Sequence, residues 1–361
     1  MDIEALQSPE PGNEYLIHRI QERIKVEGRI TFAEFMEMAL YDPEYGYYTS
    51  GREPVGESGD YLTSPMMHPA FGAAIAKWLF AKWCDMGKPS QFDVVEIGAG
   101  KGLLCATILT WMQREFPELF QAVDYLIVER GSLRSDRALN LPDMQGKVRV
   151  LEDVSEIPDG SINGCIFSNE LVDAFPVHLV TVEGGRLQEI FVELCDHRFV
   201  EIFGEPSTPD IPEYFARLGI LLPEEYRTEV NLHALDWIKQ IGSKHASGYI
   251  LTIDYGYAAD EYYMPGRRRG TLMCYYRHMF SEDPYVRIGM QDITAHVDFT
   301  SLMNAEVESG IVVESFKTQR DFLIDLGFYD LMDRLEGRRA AMSLIDPRGM
   351  GSFKALVQKR I

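Results

Sequence analysis

The feature that most constrains the fold of this chain is a short apolar run that ends in an acidic residue and a glycine-rich turn. Residues 92–102 read FDVVEIGAGKG, and the helix-like stretch LLCATILTW follows at 103–111. The order strand, loop, helix is typical of the first unit of a nucleotide-binding α/β domain. Glycine is needed in such a turn because a side chain would block a ligand lying across it, and because the turn can require a positive φ.

The spacing of the glycines indicates the ligand. A dinucleotide-binding loop usually reads G-x-G-x-x-G and places a pyrophosphate at the helix N-terminus. Here Glu96 is followed by Gly98, Gly100 and Gly102, a spacing that resembles the first motif of S-adenosylmethionine (SAM) methyltransferases. SAM carries a sulfonium and an ammonium but no phosphate, so a carboxylate at the strand end favours its binding. The alternative is a glycine-rich turn that binds nothing.

Composition and charge exclude several classes of protein. The chain has 361 residues, 46% apolar and 25% charged, as expected for a soluble globular protein of about two domains. No apolar stretch reaches the roughly 18 residues of a membrane span. The five cysteines are scattered without Cys-x-x-Cys spacing, so neither disulfides nor a metal site is predicted. A net charge of −21 argues against a nucleic-acid partner and is compatible with a basic protein substrate.

The first residues of the chain, MDIE, are acidic and carry neither a basic signal region nor an arginine-rich presequence. The start therefore predicts no secretion and no organelle import. We expect a bacterial cytoplasmic location in preference to the mitochondrial matrix.

Acidic residues follow the next two strands of the predicted sheet. Residues 125–129 read YLIVE, and Glu129 stands where a ribose diol would lie, so it is predicted to bind the ribose. Asp153 follows the strand at 148–151 and is predicted to approach the adenine. A surface-loop carboxylate is an equal alternative for Asp153.

A polar cluster follows the fourth predicted strand, residues 164–168. Open α/β sheets bind ligands at the carboxyl ends of their strands, so Asn169, Glu170 and Asp173 are predicted to face the transferred methyl group. Glu170 and Asp173 are three residues apart, and a helical turn would set both carboxylates on one face. An Asp or Asn that caps the next helix is the alternative, but it explains only one of the three residues.

The loop that ends at residues 59–65, GDYLTSP, precedes a helix predicted at about 69–86. Its Asp60, Thr63 and Ser64 are small hydrogen-bonding residues that suit either N-capping or ligand contact. We place all three in the cofactor site.

Other elements follow from local patterns. Apolar spacing predicts a helix at 13–28, and the sequence from Thr31 to Glu34 predicts a capping box that opens a second helix. The stretch EGGR at 183–186 is a hairpin signal. Helices are also predicted at 229–241 and from the segment 291–299 onward.

The predicted organisation has three parts. Residues 1–88 form an N-terminal helical and loop segment that covers the cofactor site. The core consists of 89–184, 226–257 and 291–361, and an inserted substrate-binding portion consists of 185–225 and 258–290. Interleaved Arg and Tyr in 258–290 can indicate nucleic-acid contact, but in so acidic a chain we prefer a wall of the substrate site.

Several motifs taken together, in order, resemble the MidA-like methyltransferase family, whose eukaryotic members include the mitochondrial protein-arginine methyltransferase needed for assembling respiratory complex I. The likeness extends over about residues 14–357. It implies an α/β fold with a Rossmann-like seven-stranded SAM-methyltransferase core, an N-terminal helical segment and an inserted substrate-binding subdomain, with SAM as cofactor. The motifs lie at residues 59–65, 96–102, 169–176, 254–256, 270–272, 276–278 and 291–299.

The resemblance also implies methylation of an exposed arginine in a partner protein, for which a complex I subunit is a candidate. An arginine is cationic and must approach a cationic cofactor, so paired carboxylates are needed for charge balance and orientation; Glu170 and Asp173 are the candidates. Asn169 would orient the cofactor or the substrate. His296 or Asp298 would remove the released proton, although a lone histidine at such a position is more often structural.

Three alternatives stay open at this point. A dinucleotide-dependent oxidoreductase is disfavoured by the spacing of the glycine loop. An assembly factor that binds SAM without transferring the methyl group is a second alternative, and a small-molecule methyltransferase is a third. The two inserted stretches favour a cleft larger than a small ligand needs.

Overall fold

The structure is a computed structural model that describes residues 12–51, 59–60, 62–130, 146–305 and 310–361. Tyr61, within one of the motifs above, lies outside the described residues. The chain divides into two compact units, each assembled from three stretches. The core unit comprises Leu62–Val172, Leu235–Tyr257 and Phe299–Ile361, and the second unit comprises Met1–Tyr61, Asp173–Ala234 and Ala258–Asp298.

The core unit contains a seven-stranded sheet. The strands in chain order are β1 (Phe92–Ile97), β2 (Val123–Val128), β3 (Val148–Leu151), β4 (Ile162–Asn169), β5 (His245–Asp254), β6 (Ile311–Thr318) and β7 (Lys354–Arg360). Their spatial order is β6-β7-β5-β4-β1-β2-β3. Strands β1 to β5 run parallel, and β7 is antiparallel to both of its neighbours. The predicted α/β class and seven-stranded Rossmann-like core are confirmed.

Helices surround this sheet. Strands β1 and β5 are buried along most of their length, which is why they read as near-continuous apolar runs. The α-helices of the core unit are Ser64–Met67, Ala70–Asp85, Leu103–Glu115, Pro117–Ala122, most of Leu232–Lys244, Phe299–Ala305, Gln319–Asp325, Phe328–Asp333 and Arg338–Ser343. Short 3₁₀ turns occupy Val154–Glu156, Val172–Ala174 and Met350–Ser352, and Gly256–Tyr257 is a short strand.

Helix Ala70–Asp85, predicted at about 69–86, packs against helix Leu103–Glu115 in the core of this unit. Its aromatic residues Phe71, Trp78 and Trp83 are buried, with Phe71 fully enclosed. The two helices approach closely at Gly72, where an added Cβ would lie 2.6 Å from Cγ2 of Thr107. A larger residue at position 72 would therefore push the helices apart.

The second unit is built on two antiparallel sheets. One pairs its strands in the order Ile30–Thr31, Arg186–Cys195, His178–Glu183 and Thr228–Val230, with Arg198–Gly204 also paired to Arg186–Cys195. The other has the order Met279–Ser281, Met273–Tyr276 and Asp292–Thr294. Its helices are Glu14–Glu27, Phe32–Tyr41, Asp210–Leu218 and Ala259–Tyr262, and Val297–Asp298 is a further short strand.

Two local predictions in this unit are confirmed in atomic detail. Thr31 and Glu34 form the capping box, with Glu34 N donating to Thr31 Oγ1 at 3.1 Å and Thr31 N donating to Glu34 Oε2 at 2.9 Å. The hairpin turns through Gly184 and Gly185, whose φ angles of 59° and 72° suit the two-residue turn that matches strand twist.

Two predicted helix starts are wrong. The segment 291–299 forms the strands Asp292–Thr294 and Val297–Asp298, and a helix begins only at Phe299. The segment pairs with Met273–Tyr276, a nonlocal contact that helical periodicity does not reveal. Helix Leu232–Lys244 likewise begins after the strand Thr228–Val230 rather than at residue 229, because that strand pairs with His178–Glu183.

Among the residues that the structure describes, no helix is both long and apolar enough to cross a membrane.

We expect His245 to make the protein sensitive to acid. It begins β5 and is 1% exposed; burial, together with repulsion from Arg360, lowers the pKa of its imidazole to about 4. The unfolded chain binds this proton at about pH 6.5, so stability falls as the pH drops from about 6.5 toward 4. Between pH 7 and pH 5 the loss from this group is about 2 kcal/mol. Urea unfolding of His245→Gln should show a correspondingly weaker pH dependence.

The matched control for the substitution itself is His18→Gln, at an exposed histidine. Equal pH dependence in His245→Gln and the native protein would contradict this assignment.

Candidate functional site

The glycine loop joins β1 to helix Leu103–Glu115. Gly98, Gly100 and Gly102 have φ angles of 73°, 52° and 68°, a left-handed region that glycine adopts without strain. A Cβ on Gly98 would lie 2.7 Å from Leu171 Cδ1, whereas a Cβ on Gly100 would project into open space. The loop therefore presents bare backbone to a space that can take a ligand.

Glu129 follows β2 and joins this loop. Its Oε2 accepts a hydrogen bond of 2.8 Å from Gly100 N, and burial raises the pKa of its carboxyl. The structure thus brings together Gly100 and the residue predicted to bind the ribose. The role of Glu129 in binding stays a prediction.

Glu96 lies inside the core unit. Its carboxyl is 3% exposed and accepts a hydrogen bond of 2.5 Å from the Tyr125 hydroxyl. Burial raises the pKa of Glu96 to about 7, with the charge of Glu129 adding to the effect. Ionisation of Glu96 is therefore opposed in the free protein, and a bound cation would favour it.

Asp153 caps the 3₁₀ turn Val154–Glu156. Its Oδ1 accepts from Ser155 N at 2.8 Å, and Asp153 N donates to Glu156 Oε1 at 3.0 Å. The hydrogen bond from Ser155 lowers the pKa of the Asp153 carboxyl. Asp153 therefore has a capping role that the sequence analysis did not predict, and contact with an adenine stays a prediction.

Asn169 ends β4 and has one satisfied and one unsatisfied polar atom. Its Nδ2 donates to Glu170 Oε1 at 3.1 Å. Its Oδ1 is buried and accepts no hydrogen bond from the described part of the chain. A buried acceptor without a donor is uncommon in folded proteins, and a ligand N–H or O–H would satisfy it.

Glu170 has a left-handed backbone, with φ 51°. Its N donates to Ile253 O at 2.9 Å, and its Oε1 accepts from Ser64 N at 2.8 Å. The predicted helical turn that would carry both Glu170 and Asp173 is wrong, because the 3₁₀ turn Val172–Ala174 begins only after the left-handed residue. The structure does bring Ser64, Asn169 and Glu170 together.

Thr63 and Ser64 lie at the start of the short helix Ser64–Met67. Thr63 occupies the N-cap position without a side-chain capping hydrogen bond. Ser64 is fully buried, and its Oγ lies 3.4 Å from Gln319 Oε1. The backbone N–H of Ser64 donates to Glu170, another predicted site residue.

Asp60, in the second unit, supports a tight turn. Its Oδ2 accepts from the Tyr47 hydroxyl at 2.7 Å, and its Oδ1 accepts from Arg277 N at 2.6 Å. The Asp60 main-chain oxygen accepts from His278 N at 3.1 Å. Asp60 therefore holds the turn between the strands Met273–Tyr276 and Met279–Ser281, and contact with the cofactor stays a prediction.

Asp173 and Asp292 are buried carboxylates of the second unit, 6% and 2% exposed. Asp292 accepts a hydrogen bond of 2.8 Å from the Tyr48 hydroxyl. Burial raises the pKa of Asp292 to about 8, and the charge of Asp173 contributes next, with Asp60 adding a smaller effect. Asp292 carried no predicted role, although it lies within the motif at residues 291–299.

His296 lies between two strands of the second unit rather than at the start of a helix. Its backbone N donates to Thr271 Oγ1 at 3.0 Å. Burial, with repulsion from Arg267, lowers the pKa of the imidazole to about 4, so the ring is neutral at physiological pH. The alternative proton acceptor, Asp298, is 5% exposed and accepts from the Tyr214 hydroxyl at 2.7 Å.

Asp254, the last residue of β5, is a site residue without an assigned role in the sequence pattern. It is fully buried, and its Oδ2 accepts from Leu171 N at 3.1 Å and Val172 N at 2.9 Å. Its sequence signal is an acidic residue at the end of a buried apolar strand, just before Tyr255 and Gly256. In the described ranges, no group of three or more His, Cys, Asp or Glu side chains could hold a metal ion.

The residues present fit SAM. The loop leaves room where a Cβ on Gly100 would stand, and Glu129 lies against that loop. Asn169 supplies an acceptor that needs a donor, and SAM carries donors on its ammonium, ribose and adenine. A sheet of this order with one antiparallel strand, a bare glycine loop after β1 and a carboxylate after β2 together define a SAM-dependent methyltransferase.

A family model described as "Putative S-adenosyl-L-methionine-dependent methyltransferase" matches residues 74–317, and the chain belongs to this family. A Drosophila melanogaster protein named protein arginine methyltransferase NDUFAF7 homolog, mitochondrial, is 29% identical over 329 residues, which cover 82% of this chain and 71% of the relative. The human protein arginine methyltransferase NDUFAF7 is 25% identical over 316 residues, with coverages of 80% and 68%.

A solved structure agrees over nearly the whole chain. The crystal structure of a Burkholderia thailandensis protein bound to S-adenosyl-homocysteine has a TM-score of 0.87 at 31% identity, covering 96% of this chain and 92% of that one. The predicted relation to MidA-like methyltransferases is confirmed. The protein is a SAM-dependent methyltransferase, and SAM is its cofactor.

We expect Gly100→Ala to weaken binding of S-adenosyl-homocysteine at least tenfold in calorimetry. The new methyl group enters the open space of the loop, and a left-handed alanine also costs about 1 kcal/mol of stability. Gly160 has a φ of 63° and equally open surroundings, so Gly160→Ala is the matched control for backbone strain. It should lose similar stability and keep native affinity. Equal affinities in the two variants would exclude the loop as the cofactor site.

Proposed function

We propose that the protein methylates an arginine side chain of a partner protein. The relatives named protein arginine methyltransferases support this acceptor. The structural observation that carries the proposal is the pair of buried carboxylates Asp173 and Asp292 in the second unit. The guanidinium of an arginine acceptor is permanently cationic, so two buried carboxylates favour its binding.

The electrostatics of this pair favour a guanidinium. Burial, together with repulsion from the charge of Asp173, raises the pKa of Asp292 to about 8, so ionisation of Asp292 is opposed in the free protein. A guanidinium is charged at every working pH and can bind carboxylates through two parallel hydrogen bonds. Its charge would relieve the repulsion and lower the pKa of Asp292.

The chemistry of the reaction is a direct displacement, for which SAM supplies a methyl group on a sulfonium. An N–CH₃ bond forms as the S–CH₃ bond breaks, and one proton leaves the acceptor nitrogen. The protein therefore has to orient the acceptor, which can account for several kcal/mol of the barrier. We assign this to Asn169, Glu170 and Asp173. We assign proton removal to His296, whose imidazole is in its basic form above about pH 4.

The proposal extends to the cofactor contacts and the partner. We propose that Glu96, Glu129, Asp153 and the Asp60–Ser64 region contribute to SAM binding, and that 185–225 and 258–290 contact the protein substrate. By the resemblance to MidA-like proteins, we propose a respiratory complex I subunit as the acceptor. We propose the bacterial cytoplasm as the location.

The test is to incubate the purified protein with [methyl-³H]SAM and an extract from a strain that lacks it, followed by mass spectrometry of the labelled species. We expect labelled methylarginine in a protein. Label in nucleic acid or in a metabolite would overturn the proposed acceptor, and absence of any transfer while SAM binds would indicate a non-catalytic assembly factor.

Glu170→Gln tests the site assignment in the same assay. The amide oxygen of glutamine can still accept from Ser64 N and from Asn169 Nδ2, so the fold is expected to persist. Because the negative charge is lost, we expect transfer to fall about a hundredfold, with affinity for S-adenosyl-homocysteine within threefold of the native value. Glu118→Gln, at an exposed side chain, should retain native activity. Native activity in Glu170→Gln would exclude the assigned role.

A further inference from the structure

A buried carboxylate holds the turn that follows β4. Asp254 accepts three backbone hydrogen bonds, two at Oδ2 from Leu171 N and Val172 N and one of 2.9 Å at Oδ1 from Tyr255 N. The preceding N–H, that of Glu170, donates to the main-chain oxygen of Ile253. Three consecutive N–H groups of the turn, those of residues 170–172, are therefore bound to the end of β5.

These hydrogen bonds coincide with an unusual backbone conformation. Glu170 has φ 51°, in the left-handed region that residues other than glycine rarely adopt. Such a conformation persists only where the surroundings impose it. Here the chain turns at Glu170, and this turn lets the N–H groups of residues 170–172 reach their acceptors on Ile253 and Asp254 at the end of β5.

This turn orients two side chains of the proposed site, those of Asn169 and Glu170. Glu170 Oε1 accepts from Ser64 N and Asn169 Nδ2, and the Oδ1 of Asn169 is the buried acceptor that a ligand would satisfy. A change of backbone conformation at Glu170 would move its carboxylate away from these donors. The orientation of both side chains therefore depends on the acceptors that Asp254 supplies.

We propose that Asp254 is a positioning residue for methyl transfer, acting through the turn that carries Asn169 and Glu170. The inference rests on the roles given to these two residues under the proposed function. It adds that an aspartate is required at position 254, because both of its oxygens accept hydrogen bonds. Asparagine has one acceptor oxygen, so its amide group would face at least one backbone N–H donor.

The test compares Asp254→Asn and Asp254→Ala with the native protein, using [methyl-³H]SAM and protein extract from the deletion strain. We expect Asp254→Asn to lower the rate at saturating SAM at least tenfold and Asp254→Ala about a hundredfold. The KM for SAM and the calorimetric affinity for S-adenosyl-homocysteine should stay within threefold of the native values. This split separates positioning of the turn from loss of the cofactor site.

Asp93→Asn is the matched control for stability. Asp93 lies near the start of β1, at the other end of the sheet, and its Oδ2 also accepts a backbone hydrogen bond, of 2.8 Å from Asn163 N. Asp93→Asn should lower the melting temperature and leave the transfer rate unchanged. If the role of Asp254 is merely structural, Asp254→Asn should also lower the melting temperature and leave the transfer rate unchanged when it is assayed below that temperature. That result would overturn the proposal.

A double variant shows whether Asp254 acts through the turn. If it does, Asp254→Asn should lower the rate by a smaller factor in an Asn169→Ala background than in the native protein, whereas independent effects would multiply. Multiplied losses, or equal losses in rate and in affinity for S-adenosyl-homocysteine, would also overturn the proposal. The ratio of the variant rate to the native rate can be measured on any labelled product. The identity of that product, given by mass spectrometry, separately tests the acceptor named under the proposed function.

Discussion

The interaction on which the loops of this protein depend is a hydrogen bond from a backbone N–H to a buried carboxylate. In the core unit, Glu129 binds Gly100 N and Asp254 binds Leu171 N and Val172 N. In the second unit, Glu229 accepts from the backbone N–H groups of Thr271 and Leu272, and Asp60 accepts from that of Arg277. Charged acceptors form stronger hydrogen bonds than neutral ones, so they can order loops that lack regular pairing. Part of the net charge of −21 therefore serves the fold itself.

The buried carboxylates divide into two kinds. Asp254 accepts hydrogen bonds from fixed N–H donors of the surrounding backbone, and it orders a turn. Glu96 and Asp292 have pKa values raised to about 7 and 8, since burial and neighbouring carboxylates oppose their ionisation. A carboxylate of the second kind costs stability when ionised, and a bound cation lowers that cost. The raised pKa values of Glu96 and Asp292, and not the number of acidic residues in the chain, are the reason to seek cationic ligands beside these two carboxylates.

The sequence predicts what is encoded over short stretches. The strand, glycine loop and helix at 92–115, the capping box at Thr31 and the hairpin at Gly184 each depend on neighbouring residues, and the structure has all three. Prediction fails where a distant strand decides the conformation. Asp292–Thr294 is a strand because it pairs with Met273–Tyr276, and Glu170 leaves the expected helical turn because its neighbours bind the end of β5. Neither partner is visible in the local pattern.

Left-handed residues show how the chain meets two different needs. In the loop after β1, glycines adopt positive φ freely and leave no side chain, as a close-fitting cofactor requires. At Glu170, and at Arg277 and His278 in the second unit, the same backbone region is occupied by residues with long or bulky side chains. Each such residue costs about 1 kcal/mol relative to an ordinary conformation. Hydrogen bonds to Asp254 and Asp60 offset that cost. Glycine at position 170 would remove the strain, but it would also remove the carboxylate that the turn presents.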